Sequence, residues 1–135
     1  MATADAKGRG NPLHIFFPIN AIFITIASLP LIFAYPEVFA RLGIPSLENG
    51  FFVQLSGVWL FTEAIASLLV WQHPRTNVGT VWVIIAMKVV FIALVVVSYA
   101  GGTLPATGFL IGALIDLIFS VIFFFYLRDV AQPAH

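Results

Sequence analysis

Residues 78–99 read VGTVWVIIAMKVVFIALVVVSY, and Lys88 is the one charge in the run. About 20 apolar residues, rising ~1.5 Å each, cross the ~30 Å hydrocarbon core of a bilayer. The stretch therefore reads as a membrane-spanning helix. Inside lipid every backbone N–H and C=O must be bonded within the protein, and a helix bonds them within the run itself, so a chain built of such runs reads as all-helical.

Three further runs of the same kind lie at residues 13–35, 49–71 and 106–127. QHPRTN (72–77) and GGTLP (101–105) are breaker-rich links too short for anything but antiparallel turns. The longer link, PEVFARLGIPSLE (36–48), places Val38, Phe39 and Leu42 at helical spacing and Glu37 four residues before Arg41. It reads as a short amphipathic helix at the membrane interface, stopped by Gly43 and Pro45. Pro30 predicts a kink near the end of span one. The expected architecture is all-α: an integral membrane four-helix up-down bundle, with the interfacial helix between spans one and two. One domain covers 13–127, and 1–12 and 128–135 read as flexible cytoplasmic tails.

Composition agrees. With 61% hydrophobic and 9% charged residues, the chain cannot build the polar shell of a soluble domain. Zero net charge leaves no basic patch for nucleic acid, and the first partner implied is the lipid bilayer. The absence of cysteine excludes disulfides and thiolate metal sites. The first apolar run is longer than a signal-peptide core and carries no A-x-A cleavage site. Lys7, Arg9, Arg75 and Arg128 flank one side of the membrane and Arg41 the other, which puts both termini in the cytoplasm. Trp71 and Tyr126 would mark the inner interface, and Tyr35 and Tyr99 the outer one.

Glu63, Lys88 and Asp116 interrupt three different spans. Each costs ~2.5–3.5 kcal/mol near the centre of a spanning helix on insertion scales, so each needs a partner, a wet cavity or a task. Lys88 and Asp116 fall at the midpoints of their runs. Glu63 lies ~4.5 Å, and Asn20 ~6 Å, to the cytoplasmic side of that level. One cavity could reach all four, and they form the candidate binding cluster. Lys88 sits too deep to snorkel, because the interface is ~15 Å away; pairing with Asp116, Glu63 or both is expected. Two carboxylates and one lysine leave the set at −1 when all three ionise. A proton or a bound cation would balance it.

Ser56, Glu63 and Ser67 share one stripe of span two. Gly108, Gly112, Asp116 and Ser120 repeat every four residues in span four, and Gly108–Gly112 is a G-x-x-x-G. Gly108, Gly112 and Ser120 therefore read as a helix-packing seam. His14 and His73, near one interface, are treated as ordinary interfacial residues, and Met87 as packing. Phe119, Phe123, Phe124 and Phe125 read as lipid-facing or bundle filler. No phosphate loop, zincin motif or nucleophile elbow occurs, so no catalytic or metal-ligating set is expected, and no cofactor is specified.

FARLGIP (39–45), followed by a span carrying Glu63 and closed by a short basic turn, resembles the DoxX-like group of small bacterial four-helix membrane proteins. The resemblance covers roughly residues 36–127. It implies a bacterial inner-membrane protein and, because DoxX is associated with a terminal quinol oxidase, an accessory role in a larger redox complex.

Three functions remain open. The leading one is a non-catalytic accessory subunit or helper with a membrane-protein partner. The second is a small proton-coupled transporter using the Glu63, Lys88 and Asp116 cluster, which four helices could enclose only as a homo-oligomer. The third is a membrane enzyme or a binder of a quinone or isoprenoid, with Trp59 on the Glu63 face.

Overall fold

A computed structural model describes residues 10–45, 50–104 and 106–131. Five α-helices follow a 3₁₀ turn at Pro12–Ile15: α1 (Phe16–Phe33), α2 (Tyr35–Leu42), α3 (Phe51–Gln72), α4 (Val78–Ala100) and α5 (Gly108–Ala131). All but α2 are long and apolar enough to cross a membrane. The chain is a small multi-pass membrane protein, a four-helix up-down bundle with one short amphipathic helix between its first two spans.

The ends of the helices follow from local chemistry. Asn11 caps the 3₁₀ turn by accepting from the Leu13 N–H, and its amide donates to Asp129 Oδ2. Pro30 has no N–H to donate, and α1 stops one turn later. Ala34 then leaves helical geometry (φ −141°, ψ 32°) and α2 begins. Gly43 ends α2 in the left-handed region at φ +69°, which a Cβ disfavours. Between α3 and α4, the Asn77 amide donates to the carbonyl of Leu69 in the last turn of α3 and to that of His73 just beyond it. Gly102, at φ +67°, turns the chain between α4 and α5.

The expected tails at 1–12 and 128–135 fall mostly outside the described residues, as does 46–48 of the interfacial segment. Of the described part, Asn11 and Pro12 belong to the capped 3₁₀ turn, and α5 runs on through Arg128 to Ala131.

The bundle is two antiparallel hairpins, α1 with α3 and α4 with α5. Packing is close within each hairpin and more open between them. Along the α1–α3 contact the two helices come close at Gly57, where an added Cβ would stand 2.8 Å from Ile32 Cγ1 and 3.1 Å from the Ile32 backbone nitrogen. Gln54 reaches across the same contact and donates to the Ile32 carbonyl at 3.0 Å. At the end of the bundle that carries the termini, all four spans contribute to one apolar core, including Phe17, Val70, Val81, Ile84, Phe123 and Tyr126. The Phe17 and Phe123 rings stack in parallel with centroids 4.5 Å apart, and Tyr126 meets Phe17 edge-on at 4.9 Å.

This core corrects one reading and divides another. Tyr126 is fully buried against Phe17 and is not an interfacial anchor. Phe119 and Phe123 fill the bundle, whereas Phe124 and Phe125 face outward.

Candidate functional site

Lys88 Nζ lies 2.6 Å from Asp116 Oδ1 and 2.8 Å from Glu63 Oε1. One lysine thus bridges a carboxylate of its own hairpin and one of the other. Lys88 is 1% exposed, so its long side chain does not deliver the charge to an interface. Its apolar face-mates Ile84, Ile85 and Val95 are buried with it. The ammonium also stands 5.5 Å from the centre of the Phe119 ring, within cation–π range.

The first hairpin completes the group. Asn20 Nδ2 donates to Glu63 Oε1 at 3.2 Å and to Ser67 Oγ at 2.9 Å. Asn20, Glu63 and Ser67 are all buried. Antiparallel pairing of α1 and α3 sets Asn20 opposite the turn of α3 that carries Glu63 and Ser67, so one amide spans both. Ser120 Oγ donates to the Asp116 main-chain carbonyl at 2.8 Å, not to the carboxylate. Ser56 is exposed and bonds back to Phe52.

The polar group forms one end of a cavity of about 250 Å³, lined by Glu63, Lys88 and Asp116 among apolar side chains. Span one supplies Phe23, Ile24, Ala27 and Leu31, and α3 supplies Leu60. Met87 and Phe91 of α4, with Phe109 and Gly112 of α5, close the other side. Trp59 is largely exposed; Leu60 takes the place on the Glu63 face expected for it. The cavity lies in the half of the bundle toward α2. The aromatic core fills the opposite half, so the charges sit at the boundary of the two.

The glycines of α5 do a different job from the one their spacing suggests. A Cβ on Gly112 would meet the Phe91 ring at 3.7 Å, and one on Gly108 would meet only Leu42 Cδ2, at 3.8 Å. No backbone of another helix approaches either within 4 Å among the described residues, so Gly112 leaves room for the cavity wall. The close helix contact belongs instead to Gly57, a lone glycine with no partner at i+4.

Each carboxylate engages Lys88 with a single oxygen. Among the described residues, Glu63 Oε2 and Asp116 Oδ2 accept no hydrogen bond. Both residues line the cavity. The group can therefore offer acceptors to a molecule inside it while Lys88 stays paired.

His14 and His73 take different environments. His14 is buried and stacks on Tyr126 at 6.3 Å, whereas His73 is exposed at the end of α3.

No protein-family model, no curated protein and no solved structure matches the chain.

Proposed function

We propose that this protein is an inner-membrane binding protein, with both termini cytoplasmic, that holds a lipophilic small molecule between its two hairpins. One observation carries the reading. Glu63 and Asp116, each with one carboxylate oxygen that accepts no hydrogen bond among the described residues, line an otherwise apolar cavity midway along the spans. Ligand sites are typically concave, mostly apolar and furnished with a few converging polar groups. At about 250 Å³ the cavity lies just below the ~300–1,000 Å³ usual for ligand pockets, which suits a small molecule.

A purely structural ion pair fixes helix order best when fully enclosed and fully bonded. These carboxylates are buried, but each keeps one oxygen without a hydrogen bond among the described residues and both line the cavity, and that favours binding over scaffolding. The transporter reading has less support: the stacked rings of Phe17 and Phe123 close the bundle on the terminal side of the charges. An accessory role beside a larger membrane complex is compatible with a small binding protein and is the context the DoxX-like resemblance suggests.

The test is native purification in mild detergent, with mass spectrometry of the small molecules that travel with the protein. Gly112→Leu, which would push a side chain into the cavity, should fold and lose the co-purifying molecule. An unchanged small-molecule profile in Gly112→Leu defeats the binding reading.

A further inference from the structure

We propose that the cavity selects a lipophilic monocation, a protonated amine or quaternary ammonium with an apolar body. The inference rests on the binding reading above and adds the charge of the ligand.

Charge balance is the first argument. Glu63 and Asp116 contribute −2 and Lys88 contributes +1, so the ionised group stands at −1 in a site walled by hydrocarbon. From α1 the adjoining polar residue is the neutral Asn20, from α3 Ser67, and from α5 Ser120. None of these supplies a compensating charge. An uncompensated buried charge is strongly unfavourable; a proton on one carboxyl or a monovalent cation in the cavity neutralises it, and the cation also uses the free oxygens and the aromatic wall.

The second argument is the free acceptors. Lys88 occupies Oε1 of Glu63 and Oδ1 of Asp116, leaving Oε2 and Oδ2 for a donor or a positive head group. Lys88 has spent its charge on these two carboxylates and offers an anion little.

The third is the wall. Phe23, Phe91 and Phe109 line the cavity. Phenyl faces attract an ammonium, most strongly where water is excluded, and also bury its apolar body. A neutral ligand would gain only the burial.

The experiment compares three probes of closely similar shape: benzyltrimethylammonium, its uncharged isostere neopentylbenzene, and the anion phenylmethanesulfonate. Binding is measured to the full-length protein in lipid nanodiscs. The part lost in the cavity-filled Gly112→Leu variant is scored as specific. The cation should bind at least about ten-fold more tightly than the isostere, as one favourable charge contact provides, and the anion should not bind. Glu63→Gln and Asp116→Asn each bring the group to zero charge, and each should cut the cation-to-isostere ratio several-fold to the part the phenyl wall provides, with folding checked by circular dichroism.

If the isostere binds as tightly as the cation, or the anion binds, the charge selection is wrong while the binding reading stands. If no probe binds in a cavity-dependent way, both fall. A preference that is undiminished in both variants also overturns the proposal. The wild-type comparison decides the matter even if neither variant folds.

Discussion

Lys88 Nζ and Glu63 Oε1 are 2.8 Å apart across the boundary between the two hairpins. Within each hairpin, side chains interlock along the helices. Between them, midway along the spans, the buried polar connection among the described residues is this one. It ties the loosest joint of the fold to the charges that line the cavity.

Removing the lysine should therefore cost more than its size suggests. Lys88→Met leaves two carboxylates without their cation, and breaking a buried pair from one side typically costs ~3–5 kcal/mol. In an Asp116→Asn background the same change leaves one acid fewer unpaired and should cost measurably less. A double-mutant cycle of unfolding in detergent gives the coupling. Additive effects would mean that the two side chains do not interact in the folded protein.

The helix contact is tested by glycines. Gly57→Ala pushes a methyl group against Ile32 and Leu31, with its nearest contact at 2.8 Å, and should destabilise by ~1–3 kcal/mol, as overpacking does. Gly112→Ala meets the Phe91 ring at an ordinary 3.7 Å and should be neutral or stabilising by up to ~1 kcal/mol through helix propensity. Thermal unfolding of the two variants side by side decides it. The reverse order would restore Gly112 to a close helix seam.

These contrasts show what the sequence makes legible. Run length and turn length carry the helix count, because the bilayer core and the short links leave few alternatives. Depth along the spans brings Asn20, Glu63, Lys88 and Asp116 to one level, and the structure places their polar atoms within hydrogen-bonding distance in sequence. Rotation about each helix axis is much less legible. Tyr126 looks like a belt residue from its position at the end of an apolar run, yet it faces Phe17. Trp59 and Leu60 differ by one residue and by about 100° around the helix, and only Leu60 lines the cavity. The cavity itself is the space left by twelve residues from four helices, which no single-helix pattern encodes.

Orientation can be read directly because the chain has no native cysteine. Single cysteines in place of Lys7, Arg75 and Thr103 are exposed to an impermeant thiol reagent, first on intact cells and then on inverted membranes. The excess of Lys and Arg beside the termini predicts protection of positions 7 and 75 in intact cells and labelling of 103. In inverted membranes the pattern should exchange. Labelling of 7 and 75 in intact cells would turn the protein over and place the cavity half of the bundle toward the cytoplasm.

The last prediction separates the role of the charges in folding from their role in binding. Glu63→Gln, Lys88→Met and Asp116→Asn together replace the whole charged group by neutral side chains of similar size. Exchanging a complete buried ionic set is often neutral or stabilising, unlike removing one member. Asn20 keeps Ser67 as an acceptor, and the amide oxygen introduced by Glu63→Gln replaces the carboxylate, so the first hairpin retains its polar contact. The triple variant should accordingly fold with a melting temperature at or above that of the wild type, while losing the bound molecule. Loss of both fold and ligand would make the charges a requirement of the bundle. Retention of the ligand would show that the apolar wall alone recognises it. The measurement is thermal unfolding and small-molecule content on the same purified sample, so that a failure of folding cannot pass for a failure of binding.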